Sequence, residues 1–209
     1  MSGNRMRPIR ETISLDDARA LIARSITPLA RTERVRLDLA DGRVISAPVR
    51  AGIDVPPFAR AAMDGYAVLA ADTFGAGTHS ARVLHSVETV FTGQVPTRAI
   101  GTGECTEIAT GAPVPAGADA VVMVEDTEKD TGGTVRIFGP VYPGQNVTQQ
   151  GADITSGQIV LSPGDVLNPS RIGALAALGV LDIDVYAQPR VAILSTGDEV
   201  VDPGTPLTP

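Results

Sequence analysis

Three segments of the sequence place a carboxylate or a hydroxyl beside glycine, where the backbone is constrained. Asp64 precedes Gly65, Thr110 precedes Gly111, and Asp153 follows another glycine by two positions. The first pattern is typical of a carboxylate held at the edge of a cleft. The second lies in a loop stiffened by prolines, and rigid loops that expose amides and a hydroxyl suit anionic ligands.

Each segment also has a purely structural interpretation. Asp64-Gly65 is a common pair in hairpin turns. Turn formation alone explains the glycines and prolines around Thr110 equally well. For Asp153, a capping role is the simpler interpretation of a short acid after glycine.

Other kinds of site find less support in the sequence. Nucleophile elbows, P-loops and dinucleotide-binding glycine motifs are absent from it. His79 and His85 have no acid or cysteine beside them at metal-ligand spacing. Cys105 falls in a predicted apolar strand, which favours a buried packing role over a reactive thiol.

Helical and strand patterns surround these segments. Ser14 and Asn168 are good N-caps for two predicted helices, and Gly179 suits the end of the second. Alternating apolar residues predict strands at 35–39 and 180–186. Apolar residues recur along the first helix at three- and four-residue spacing (Leu15, Ala18, Leu21, Ile22 and Ile26).

Between the two helices, short β-favouring pieces alternate with turns, and a continuous apolar strand is predicted at 191–195. The sequence therefore predicts a mixed α/β, multi-domain chain. Its parts are a flexible N-terminal tail (1–13), a discontinuous helix-and-strand domain (14–52 plus 155–188) flanking an inserted all-β domain (53–154), and the first strand of a truncated α/β domain (189–209).

Composition limits the classes of partner. The 209 residues include 17 Lys and Arg against 24 Asp and Glu, a net charge of −7. This balance argues against a general basic surface for nucleic acid. The longest apolar run, 172–181, is about half of the ~20 residues that a spanning helix needs. With a single cysteine, the sequence predicts a cytoplasmic protein that binds neither nucleic acid nor membrane.

Four ordered segments together resemble a known family. They are DVPPF with AMDGYA (54–58 and 62–67), TGAPVP (110–115), GADI (151–154) and STGDE (195–199). The resemblance is to the molybdopterin molybdenumtransferases, the MoeA-like family that includes the gephyrin E domain. It covers the N-terminal portion of that family only. Around the third segment, Gln149 and Gln150 stand where members commonly carry basic and acidic groups.

The resemblance implies a function and a set of site residues. Members insert molybdate into adenylylated molybdopterin with release of AMP, require a divalent cation (usually Mg²⁺), and form homodimers whose active site is shared between subunits. Asp64 and Asp153 are then the catalytic candidates, and Thr110, Gly111 and Glu199 the substrate-binding ones, with no metal ligands assigned. Because most of the α/β domain lies outside this sequence, we expect the chain to be inactive alone. The alternative is a non-catalytic scaffold or peptide-binding module of the gephyrin type.

Overall fold

A computed structural model describes residues 12–194 and 201–206. The described part contains three helices, α1 Leu15–Ser25, α2 Ala70–Thr73 and α3 Pro169–Ala177. Its strands are β1 Thr32–Arg36, β2 Val49–Arg50, β3 Arg60–Ala61, β4 Gly65–Val68, β5 Arg82–Val90, β6 Glu104–Ile108, β7 Ala120–Met123, β8 Thr127–Lys129, β9 Thr134–Ile137, β10 Val147–Thr148, β11 Ile159–Leu161 and β12 Asp182–Tyr186. The protein is thus built mainly of strands, with few helices. None of the described helices is long and apolar enough to cross a membrane.

The largest sheet has six strands in the order β7-β4-β6-β5-β9-β8, and all its pairs are antiparallel except β5 with β6. In a flat sheet, β6 and β8 would lie about 14 Å apart, three strand spacings. Yet Lys129 on β8 reaches Glu107 on β6, with 2.5 Å between Nζ and Oε2. The sheet is therefore curled.

Aliphatic side chains fill both faces of this sheet. One face carries Leu84, Val135 and Ile137, and the other Val90 and Ile108, all nearly or fully buried. Cys105 is completely buried on the first face, and burial raises the pKa of its thiol to about 12. The predicted packing role of Cys105 is confirmed.

A second core joins residues from both ends of the sequence. β1 pairs with β12 and β2 with β11, so residues 32–50 lie against 159–186. Leu37, Ile45, Leu167, Leu175 and Val185 are buried together there. None of its residues belongs to the two clusters of buried side chains that cover the faces of the curled sheet, so the protein has separate cores.

The two longer helices begin as predicted but bury different amounts of surface. The Ser14 side chain accepts a hydrogen bond from the amide of Asp17, and Asn168 accepts one from Arg171. α3 buries Leu175 in the second core. No residue of α1 is buried, and Ile22 on its apolar face is 56% exposed.

Two predicted strands differ in the structure. The strand predicted at 35–39 is β1, Thr32–Arg36, followed by a single 3-10 turn at Leu37–Leu39 that buries Leu37. Residues 191–194 form no strand, and Ile193 is 91% exposed. A buried strand needs neighbours to pair with, and no described strand pairs with this segment. The rest of the segment, 195–200, lies outside the described residues.

Candidate functional site

Asp64 and Thr110 meet at one edge of the curled sheet. Oδ1 of Asp64 accepts hydrogen bonds from the Thr110 amide at 2.6 Å and from the Thr110 hydroxyl at 2.8 Å. The register of β4 against β6 places them there, because Gly65 lies opposite Ile108. These two bonds, the amide bond foremost, lower the pKa of Asp64 although the carboxylate is exposed. No described residue donates to Oδ2, which is free to receive a ligand.

Gly65 is required by a close approach of two strands. It is the first residue of β4, which pairs with β6 and β7, whereas the preceding strand β3 pairs with β10; the hairpin-turn interpretation of Asp64-Gly65 is therefore wrong. A Cβ at this position would lie 1.8 Å from the carbonyl oxygen of Val122 on β7. Only glycine lets β4 and β7 pair this closely beside Asp64.

The loop after β6 uses its donors within the protein. The Gly111 amide donates to the carbonyl of Ala61 at 2.8 Å, and both donors of Thr110 go to Asp64. Gly111 has a φ of 82°, the left-handed region that glycine adopts readily. In this structure neither amide points outward to an anion. The geometry instead gives Thr110 the role of positioning Asp64.

Asp153 lies in a turn held by its backbone. Its amide donates to the carbonyl of Val55 at 2.9 Å. Its exposed carboxylate takes no hydrogen bond from the described residues and caps no helix, so the capping interpretation is wrong. The carboxylate is therefore free for a ligand, but nothing fixes its orientation.

Asp54 holds the turn that contains Asp153, a role that was not predicted from the sequence. Its Oδ1 accepts from the Ser156 amide at 2.8 Å, and its Oδ2 from Nε2 of Gln150 at 2.7 Å. These bonds, the amide bond foremost, lower the pKa of Asp54. The available signal was its place in the turn-forming segment Asp54-Val55-Pro56-Pro57, since aspartate side chains in turns commonly accept hydrogen bonds from backbone amides.

A cavity of about 230 Å³ adjoins Asp64. Tyr66, Glu107 and Thr89 form one row across β4, β6 and β5, since Glu107 lies opposite both others, and all three line this cavity. Oε2 of Glu107 accepts from the Thr89 hydroxyl at 3.2 Å and from Lys129 at 2.5 Å. Sequence reasoning missed this row. The sequence signal for this row was the position of Glu107, two residues after Cys105. Residues two apart in a strand share a face, so Glu107 places a charge on the face of β6 that carries the buried Cys105.

Comparison with known proteins decides the family. Residues 13–179 match the family described as "MoeA N-terminal region (domain I and II)". The chain belongs to the MoeA family. It is 39% identical over 175 residues to molybdopterin molybdenumtransferase 2 of Mycobacterium tuberculosis, covering 84% of this chain and 43% of that protein. It is 34% identical over 195 residues to the molybdopterin molybdenumtransferase of Haemophilus influenzae, covering 93% and 47%.

A solved structure agrees with this assignment. The crystal structure of the molybdopterin biosynthesis moeA protein from Pyrococcus horikoshii OT3 superposes with a TM-score of 0.81 at 36% identity, over 86% of this chain and 47% of that one. This chain therefore has the fold of the MoeA N-terminal region. It spans less than half the length of each of these three relatives.

Within this MoeA region, the structure brings together some of the predicted site residues. β3 (Arg60–Ala61) pairs with β10, and its Ala61 carbonyl accepts a hydrogen bond from the Gly111 amide. It therefore lies between the segments 110–115 and 151–154. Asp64, Thr110 and Gly111 share one edge, whereas no hydrogen bond joins Asp153 to them. Glu199 lies outside the described residues. In the described ranges no three His, Cys, Asp or Glu side chains converge as a metal site.

Proposed function

We propose that this chain acts in molybdenum cofactor biosynthesis, as the N-terminal part of an enzyme that inserts molybdate into adenylylated molybdopterin and releases AMP. The names of its relatives support the pathway and the transferase class. The observation that carries the proposal here is the Asp64–Thr110 contact. It fixes one carboxylate oxygen and leaves the other available, as expected for a group that orients a substrate or water.

Asp64 is suited to act as a charged ligand at neutral pH. Because the two bonds from Thr110 lower its pKa, the carboxylate is fully ionised there. The same bonds fix its position before a substrate arrives, which limits the reorganisation needed in the reaction. Asp153 supplies a second carboxylate on the neighbouring loop.

The donor set fits Mg²⁺ in the way that phosphate-handling sites usually bind it. Mg²⁺ is commonly held by one or two carboxylates together with substrate phosphates and water, without an all-protein cage. Asp64, through Oδ2, and Asp153 would be its protein ligands in this chain. When bound, the ion would neutralise charge on a phosphoryl group.

We further propose that the active site is completed by a second subunit. In this arrangement the β domain of one subunit faces the α/β domain of the other, where Glu199 would contact substrate. The exposed positions of Asp64 and Asp153 support this, since a complete site would enclose them. The alternative function is a non-catalytic scaffold or peptide-binding module of the gephyrin type.

A chimera tests the proposal. Residues 13–179 of this chain would replace the matching region of the Haemophilus influenzae relative, and molybdenum insertion and AMP release would be measured on the purified protein. We expect Asp64→Asn to reduce both by at least about tenfold at unchanged thermal stability. Asp126→Asn is the matched control, because Asp126 is an exposed carboxylate in the 3-10 turn between β7 and β8, with no side-chain hydrogen bond among the described residues. Full activity of Asp64→Asn would refute the proposal.

A further inference from the structure

The cavity beside Asp64 combines two carboxylates with apolar side chains. It opens where β5 and β6 end and β4 begins, and has a volume of about 230 Å³. Among the described residues that line it there is no lysine or arginine. The lining comprises Asp64, Gly65, Tyr66, Thr89, Phe91, Glu107, Ile108, Ala109 and Val124.

Three polar groups in this cavity keep an oxygen that no described residue hydrogen-bonds. For Asp64 both bonds fall on Oδ1, and for Glu107 both contacts fall on Oε2. The hydroxyl of Tyr66 makes no hydrogen bond with the described residues, although the residue is only 3% exposed. Among the described residues, only Thr106 has a side-chain oxygen that is both fully enclosed and unpaired. The Tyr66 hydroxyl is therefore not enclosed, and the open space that Tyr66 borders is the cavity.

The charge of the cavity selects between classes of ligand. Asp64 and Glu107 make the cavity negative and no lining residue is a cation, so a phosphate, a dithiolene or molybdate that brings no cation with it is repelled. The same carboxylate oxygens accept hydrogen bonds, so an uncharged ring with several N–H donors is favoured. The exposed ring of Phe91 and the side chain of Val124 offer apolar surface against which such a ring can stack. The volume, below that of pockets for drug-sized ligands, suits one ring system.

We propose that this cavity binds the pterin ring of the substrate, with Glu107 accepting from its amino-pyrimidinone edge and Tyr66 donating to its ring carbonyl. The inference rests on the proposed function, because it assigns one part of that substrate to one part of the site. The 2-amino and N3–H groups of a pterin are the donors that Oε1 of Glu107 lacks. The anionic end of the substrate is left outside the cavity.

The surroundings of the two residues fit these roles. Burial, and secondarily the charge of Glu107, raises the pKa of Tyr66, so its hydroxyl keeps its proton at neutral pH and can donate. Lys129 contacts Glu107 from β8 without lining the cavity, and so fixes the carboxylate while leaving Oε1 free.

A pair of matched ligands tests the assignment on the chain itself. Binding of 6-hydroxymethylpterin would be compared with that of 6-hydroxymethyllumazine, in which a carbonyl replaces the 2-amino group. We expect the pterin to bind about tenfold more tightly, because lumazine keeps the N3–H donor but lacks the 2-amino donor for Glu107. Glu107→Gln should weaken pterin binding about tenfold and remove most of the difference between the ligands. Tyr66→Phe, which preserves packing, should weaken both ligands.

Glu128→Gln is the control variant. Glu128 is an exposed carboxylate on β8, paired with Arg136 and outside the cavity, so its loss should change neither affinity. The inference is overturned if the chain binds no pterin, if both ligands bind equally, if Glu107→Gln and Tyr66→Phe bind as the parent does, or if inorganic phosphate or molybdate competes. If any of these binding results is obtained while the Asp64→Asn chimera loses molybdenum insertion, only the pterin assignment is refuted. Pterin binding with full insertion by that chimera would refute the proposed function instead.

Discussion

The two aspartate turns of this protein hold the same side chain in different ways. At Asp64 the carboxylate itself is bonded to the framework, through two hydrogen bonds from Thr110. At Asp153 only the backbone is bonded, and the carboxylate of a neighbour, Asp54, ties the turn together through Ser156 and Gln150.

This difference determines what substitutions can report. At the first turn, structure and chemistry share one residue, so a change at Asp64 disturbs both its loop and any bound ligand. At the second turn they are divided between Asp54 and Asp153. The two turns therefore offer an internal control. At the second turn, substitutions of Asp54 and Asp153 report the structural and the functional effect separately. At the first turn, a substitution of Asp64 reports both effects together.

The largest expected effect comes from adding a methyl group beside Asp64. In Gly65→Ala the new Cβ would meet the carbonyl oxygen of Val122 at 1.8 Å, so β4 and β7 must separate. We expect a loss of about 3 kcal/mol in the free energy of unfolding, measured by urea denaturation. Gly52→Ala is the control, since nothing lies within 4 Å of a Cβ there. Equal stability of the two variants would contradict the close approach that we describe.

Removing each holding carboxylate tests the division of roles directly. Asp54→Ala should speed hydrogen exchange of the Ser156 amide about tenfold, because that amide loses its acceptor, while the Thr110 amide is unchanged. Asp64→Ala should have the reverse effect, on Thr110 and not on Ser156. If either variant accelerates both amides, the two turns are not independent.

Much of the fold follows from local sequence signals. Ser14 and Asn168 cap their helices through the predicted side-chain bonds, and Gly179 has the expected positive φ of 75°. The predicted β-favouring pieces correspond to β4, β5, β6, β7 and β9, because alternation and turn residues act over a few positions. The strand predicted at 191–195 is absent from the described residues 191–194. A buried strand depends on pairing partners, which a local sequence pattern does not specify.

The site was less accessible from sequence, because its contacts are long-range. Asp64 and Thr110 are 46 positions apart, and only the register of β4 against β6 brings them together. The reason for Gly65 lies on a third strand, β7. Asp54 and Glu107 were overlooked because their partners, at Ser156 and Lys129, are likewise specified by tertiary structure.

A smaller effect is expected at the hydroxyl of Thr110. Thr110→Val keeps the amide bond to Asp64 and removes the weaker hydroxyl contribution, so the pKa of Asp64 should rise part of the way toward its ordinary value of 3.8. Thr110→Ser should restore the lower pKa, as followed by carboxyl NMR titration.

The sign of the pH effect on stability follows from the lowered pKa. Because the folded state holds Asp64 ionised more firmly than the unfolded state does, its contribution is present above pH 3.8 and is lost as the pH falls through the lowered folded pKa. The stability difference between the parent and Thr110→Val should therefore be largest near neutral pH and shrink in acid. A difference that grows in acid would contradict the assigned hydrogen bonds.

The smallest structural effect is expected at Asp153, and for that reason its substitution is the most informative about function. Asp153→Asn removes a charge that no described residue bonds, so unfolding free energy should change by less than about 0.5 kcal/mol. The Ser156 amide should exchange as before, since Asp54 still holds it. Reduced molybdenum insertion by the chimera under these conditions would come from the lost carboxylate alone. If stability fell together with insertion, Asp153 would be part of the framework, and the contrast between the two turns would not hold.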